Sequence, residues 1–328
     1  MDSAVTPLRY VVFGCCLLSF EHPMLDRTVA LPMDCFVFLG DNVYADTMSP
    51  AVLRRKYDEL KRSRFYTELR AKAPILATWD DHDYGADDAG GSWPLKAESQ
   101  LAFLDWIEAP PESLLRRRPG IYDARVFGPP GQRVQIILLD TRYFRSRLRY
   151  GRHDVVPSGG PYVPNADPSA TLLGPAQWSW LEEQLREPAE LRVVASSIQF
   201  AAAFHGGEAW ANLPLERDRF LDLLASTRAD GLLFVSGDRH WSELSRIDGP
   251  LGYPIYDLTI GSLTQANPEP LPPNRNRVST SVYEREAVGR MRIDWSAADP
   301  TIDLEALDAD GNPQVARRLT LSELRSTG

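Results

Sequence analysis

The stretch Cys35-Phe36-Val37-Phe38-Leu39-Gly40-Asp41-Asn42-Val43-Tyr44 decides how the rest of this chain is read. Its first half is continuously apolar, as in a parallel strand buried on both faces. Gly40 then permits a sharp turn, and an acid and a phenol follow at once. The pattern recurs. Leu232–Gly237 runs into Asp238-Arg239-His240, and Ile75–Trp79 into Asp80-Asp81-His82-Asp83.

Outward from this stretch, the apolar runs Tyr10–Gly14, Cys35–Gly40, Ile75–Trp79, Val134–Asp140, Arg192–Ile198 and Leu232–Gly237 predict buried strands. Ile255–Ile260, Met291–Trp295 and Ile302–Leu307 predict three more. Helical patterns lie between them at Ser49–Ala71, Pro94–Glu108, Gly174–Glu187 and Pro214–Thr227. Pro50, Pro175 and Pro214 stand where a first helical turn accepts proline. Arg142–Leu173 and Ser262–Gly289 break the rhythm as long loops, and Asp308–Asn312 reads as a hairpin turn in the tail. The expectation is one α/β domain over residues 1–328. It has loop insertions at about 142–173 and 262–289, and a C-terminal strand pair at about 290–320.

The 36 basic residues against 45 acidic ones leave a net charge of −9, which argues against a surface for nucleic acid or an anionic membrane. No apolar run reaches the roughly 18 residues of a spanning helix. Arg9–Phe20 reads as a buried strand rather than a leader core, so a cytoplasmic chain is expected, with an exported mature form as the alternative. Three cysteines, two of them adjacent, do not make a disulfide framework. Neither a G-x-G-x-x-G nor a P-loop follows any strand, which sets a nucleotide-binding enzyme aside.

Just past the strand ends stand Cys15, Asp41, the run Asp80 to Asp83, Asp140, Gln199, and Asp238 with His240. A single acid there is usually a helix cap or turn residue. Six strands delivering polar groups at one end suit a common site, since open α/β sheets bind ligands beyond the carboxyl ends of their strands. Crowded carboxylates such as Asp80, Asp81 and Asp83 cost energy unless cations or protons neutralise them. Cys15 is a ligand candidate by position only, and Cys16 reads as a small buried hydrophobe. His22, His153 and His205 have no comparable setting.

At these residues the chain resembles the metallophosphoesterases of the alkaline phosphatase D family, within the calcineurin-like and purple acid phosphatase superfamily. The matching pieces are Phe13-Gly14-Cys15, Gly40 to Tyr44, Trp79 to Asp83, Leu139-Asp140-Thr141-Arg142, Leu173 to Gln177 with Trp180-Leu181, Ser197-Ile198-Gln199, Trp210 to Pro214, and Ser236 to His240. The resemblance implies a four-layer α-β-β-α sandwich of two mixed sheets; as a departure from the family, no immunoglobulin-like domain is expected ahead of the first strand. It implies metal ligation by Cys15, Asp41, Tyr44, Asp81, Asp238 and His240, with Asp41 bridging and Tyr44 on ferric iron. Gln199 falls where many relatives carry a metal-binding histidine.

Thiolate, phenolate and imidazole suit iron, and carboxylates suit calcium, manganese or magnesium. Two or more ions are therefore expected, ferric iron with calcium, and manganese, magnesium or zinc as alternatives. The expected activity is metal-dependent hydrolysis of phosphate mono- or diesters with an alkaline optimum, by activated water attacking phosphorus in line. His82 would protonate the leaving group. Arg142 or Arg239 would balance transition-state charge, unless both are surface ion-pair partners. Asp83, Asp140, Gln199 and Arg239 are supporting candidates. The substrate would be a small phosphate ester or a phospholipid head group. The alternatives are a non-catalytic metal- or phosphate-binding relative and a phospholipase D-like phosphodiesterase. Bound cations would offset the negative charge locally.

Overall fold

The alternation of side chains along Cys35–Leu39 shows how the layers form. The computed structural model describes residues 6–151, 160–266 and 272–326. The chain runs β1 (Tyr10–Gly14), α1 (Pro23–Ala30), β2 (Cys35–Leu39), α2 (Pro50–Arg62), α3 (Arg64–Lys72) and β3 (Ile75–Thr78). It continues with α4 (Asp81–Tyr84), α5 (Lys96–Trp106), β4 (Asp123–Phe127), β5 (Val134–Leu138), the short pair β6 (Arg149–Tyr150) and β7 (Tyr162–Val163), α6 (Gly174–Arg186) and β8 (Leu191–Ser196). The last part is α7 (Pro214–Thr227), β9 (Leu232–Ser236), β10 (Glu243–Asp248), β11 (Pro254–Thr259), β12 (Val288–Asp294), β13 (Thr301–Leu307) and β14 (Pro313–Thr320).

Two six-stranded mixed sheets result, in the orders β14-β13-β12-β1-β2-β3 and β10-β11-β9-β8-β5-β4. β1, β2 and β3 pair in parallel, as do β5, β8, β9 and β11. Along β2, Cys35, Val37 and Leu39 enter the core shared with the second sheet. Phe36 and Phe38 enter the other core, with Tyr57, Phe65 and Trp106 from α2, α3 and α5. Trp178, Leu181 and Leu185 of α6 and Phe220 and Leu224 of α7 join the second sheet. This is an α-β-β-α sandwich, and both faces of β2 are buried because each has its own covering layer.

The helix expected over Ser49–Ala71 is two helices. Ser63 takes extended backbone (φ −62°, ψ 150°), and its hydroxyl accepts from the Tyr66 amide to start α3. β4 and β10 escape the apolar-run pattern because each carries exposed positions, and β14, also partly exposed, is the far arm of the hairpin expected in the tail. The Asp308–Asn312 turn joins β13 to β14, closed by Asp308 donating to the Asn312 carbonyl. Within 142–173 lies the β6–β7 hairpin, and within 262–289 two isolated bridges attach Arg277 and Tyr283 to Ser245 and Ser242. Residues 152–159, with His153, and 267–271 lie outside the described residues. No helix among the described residues is long and apolar enough to cross a membrane.

Candidate active site

Polar side chains gather just past the ends of the parallel strands. β1 ends at Gly14 and Cys16 stands two residues on; the same offset separates Leu39 from Asp41, Thr78 from Asp80 and Ser236 from Asp238. Cys16, Asp41, Asp238 and His240 have φ of +54°, +51°, +68° and +56°. Such backbone costs a non-glycine residue roughly 1–3 kcal/mol, so its concentration here shows chain held out of its relaxed path. Gly40, at φ +113°, brings β2 so close to β3 that a Cβ on it would lie 2.6 Å from the Asp80 Cβ.

Three overlapping groups of ligand-capable atoms form, each with its atoms within 4.8 Å of one another: Cys16, Asp41 and His240; Asp41, Asp81 and His82; and Asp80, Asp81 and Asp238. A fourth, Asp81 with Asp87 and Asp88, shares Asp81 at a more exposed edge. The Tyr44 hydroxyl donates to Asp41 Oδ2 at 3.3 Å and lies 3.2 Å from His240 Nε2, while the Cys16 thiol lies 3.6 Å from the same Asp41 oxygen. Asp80 Oδ2 is buried without a hydrogen-bond partner. A buried carboxylate oxygen left open beside two other acids fits a cation.

Burial, then Asp81 and Cys16, pushes the Asp41 carboxyl well above its ordinary range. Burial likewise raises Asp80 and the Cys16 thiol, and lifts Asp238 to about 7 against the opposing Arg239. Asp81 goes the other way: burial opposes ionisation, but Arg142 and His82 outweigh it. Carboxylates so placed take protons or are neutralised by cations. For His82, burial disfavours the proton, yet Asp46, Asp81 and Asp80 hold it up to about 9. Its Nδ1 lies 2.7 and 2.9 Å from the two Asp46 oxygens, and its ring packs 4.4 Å from that of Tyr44.

Other expected residues take different places. The Cys15 thiol turns away, toward the carbonyls of Ile260 and Gly261 at 3.5 Å, and Cys16 stands in the group instead. Arg142 is fully buried, neither a surface ion-pair partner nor open to substrate; it is bound to Asp80 and Glu208 at 2.5 Å each. Asp83 and Asp140 do not join the groups. Asp83 accepts from the Asn42 side chain, the Asp80 amide and the Tyr57 hydroxyl. Asp140 accepts from the Trp79 indole and from the amides of Ile121, Arg142 and Tyr143. Both are saturated by donors, which removes their need for a cation. The Gln199 amide donates to Glu243 and Thr259 at 2.8 Å, and its oxygen accepts from His205, so it belongs to a buried network behind the site. Arg239 keeps 16% side-chain exposure, 3.5 Å from Asp238 and over the Trp241 ring.

Cys16, Asp46 and Glu208 are the site residues that sequence reasoning passed over, and it places Asp80 among the crowded carboxylates without assigning it as a ligand. The offset of two residues beyond the strand end would have selected Cys16 and Asp80. Nothing in the local sequence points to Asp46 or Glu208.

Fold and site together define an α/β protein with a cluster suited to metal ions between the carboxyl ends of two sheets. A family model described as PhoD-like phosphatase matches residues 19–294, and the chain belongs to that family. It is similar to alkaline phosphatase D of Bacillus subtilis (strain 168), at 24% identity over 212 residues, 59% of this chain and 36% of that protein. The match thus spans little more than a third of that relative. A solved structure of PhoD superposes with a TM-score of 0.72 at 18% identity, covering 98% of this chain and 70% of that one. GAP50, described as the anchor in the inner membrane complex of Plasmodium, superposes at 0.59 with 13% identity, covering 96% and 89%. At these identities the two solved structures speak to the fold alone.

Proposed function

We propose that this chain hydrolyses phosphate esters at a metal centre organised around Asp41 and Asp81. The observation that carries this is the overlap of the three ligand groups, in which Asp41 and Asp81 are each shared by two. Their donor chemistry divides. Cys16, Tyr44 and His240 with Asp41 suit iron, and Asp80, Asp81 and Asp238 suit calcium or manganese. Bound there, such ions supply an acidified water and polarise the phosphoryl oxygens.

The chain's own groups do the rest. Asp46 occupies His82 Nδ1, which fixes the ring and leaves Nε2 to deliver a proton to the departing oxygen. A proton held up to about 9 is present at neutral pH, as this role requires. Arg239, not Arg142, is the cation with some exposure beside the cluster and suits a phosphoryl oxygen. Small mono- and diesters are the proposed substrates.

The test is metal analysis of the purified protein with turnover of p-nitrophenyl phosphate and its bis ester. His82→Ala is expected to lower kcat about 10²–10⁴-fold with bound metal unchanged. Protein that takes up neither iron, calcium nor manganese and cleaves neither ester sinks the proposal.

A further inference from the structure

We infer that Glu208 is a positioning residue: by holding Arg142 and Arg145 together, it keeps Asp80 and Asp81 aimed at a cation. This rests on the metal-centre reading above. Glu208 lies between β8 and α7 and is 3% exposed. Its Oε2 is 2.5 Å from Arg142 Nη2 and its Oε1 is 2.9 Å from Arg145 Nη2. Two buried guanidinium groups are thus bridged by one carboxylate.

One arm of this bridge reaches Asp80. Arg142 Nε donates to Asp80 Oδ1 at 2.6 Å, and Nη2 lies 2.5 Å from the same oxygen. With Oδ1 engaged twice, Oδ2 is the oxygen left without a hydrogen bond. The other arm reaches Asp81. Arg145 Nη2 donates to the carbonyls of Asp88 and Ala89, at 2.5 and 3.1 Å, and Arg142 Nη1 to that of Ala89. The Asp88 amide in turn donates to Asp81 Oδ2 at 2.7 Å. Glu208 therefore braces both acids from behind without touching either.

Without that negative charge, two buried cations face each other and each must seek another acceptor. The carboxylates beside Arg142 are Asp80, which already pairs with it, and Asp81, already 3.8 Å away. A guanidinium that takes those lone pairs competes directly with a metal ion for them. The loss would therefore show first in metal affinity.

The experiment is calorimetric titration of manganese(II) into the chelator-treated full chain, for wild type, Glu208→Gln and Glu208→Asp. Glu208→Gln is expected to weaken binding about 10–100-fold, as loss of groups that orient metal ligands does, and Glu208→Asp to recover part of it. With p-nitrophenyl phosphate, kcat falls while KM holds, because substrate does not contact Glu208. If Glu208→Gln does not fold, Glu208→Met with Arg145→Met removes the bridge with apolar groups of similar size and must show the same weakened binding. Manganese(II) affinity within about twofold of wild type in a folded variant lacking the bridge overturns the inference and leaves the metal centre standing. Wild type that binds no manganese(II) removes the metal centre and the inference together.

Discussion

Cys15 and Cys16 are neighbours with opposite fates, because both lie past the end of β1 and the chain turns at Cys16 through left-handed backbone. Cys15 fills a gap against Gly237, where an added Cβ would lie 2.9 Å from its sulfur. Cys16 turns, with positive φ, toward Asp41. Cys16→Ser is expected to lower bound iron at least about tenfold, and Cys15→Ser to leave it within about twofold, by elemental analysis of each purified variant. Equal losses would contradict the facing seen here.

His205 carries a second prediction at this scale. It is buried, accepts from the Gly207 amide at Nδ1 and donates from Nε2 to Gln199. Burial, and then Arg239, depress it from 6.5 to about 3. The unfolded chain therefore binds the extra proton below about pH 6.5, while the folded chain refuses it down to about 3. The stability His205 contributes is complete above that window and declines through it as pH falls, by up to about 1.4 kcal/mol per pH unit. Urea melts between pH 7 and 4 should show a shallower decline for His205→Gln than for wild type. Parallel slopes would refute the assignment.

At the scale of elements, the turn leaving β2 is the tightest joint in the site. A methyl group at Gly40 meets the Asp80 Cβ at 2.6 Å and its amide at 2.8 Å, in a left-handed conformation that disfavours any side chain. Gly40→Ala should cost roughly 1–3 kcal/mol in urea denaturation, with weaker manganese(II) binding because Asp41 and Asp80 move apart. A change below about 0.5 kcal/mol would mean that the joint is slack. Legibility at this scale followed burial. β1, β2, β3, β5, β8 and β9 announce themselves as apolar runs because both faces are covered. The strands β4 and β10 carry residues facing water and pattern like loops. Ser63 divided a helix that periodicity joined, since a single hydroxyl cap outweighs the apolar spacing around it.

For the whole molecule, the two sheets bring Asp41, Asp80 and Asp81 from one side against Asp238 and His240 from the other. Folding forces these like charges together, so a cation that neutralises them should hold the sandwich closed. Manganese(II) at about 100 times its Kd is expected to stabilise the chelator-treated protein by about 2.7 kcal/mol, read as a rise in Tm. The rise should shrink at pH 5, where protons compete for the carboxylates. A Tm indifferent to the metal would separate the acidic cluster from any structural role for a cation.

The sequence by itself determined the covered sheets, the strand ends at which polar groups stand, and the acids and histidines directly past those ends, because local periodicity and turn chemistry act over a few residues. Only the tertiary structure decided which of two adjacent thiols faces Asp41, that Arg142 is buried beneath the acids, and that Asp83 and Asp140 are occupied by the chain's own donors. It also placed Asp46 against His82 and Glu208 between two arginines. Those facts depend on which partner arrives from a distant part of the chain. Distance along the sequence carries no signal for that, because the direction of a buried side chain is set by what packs and bonds against it.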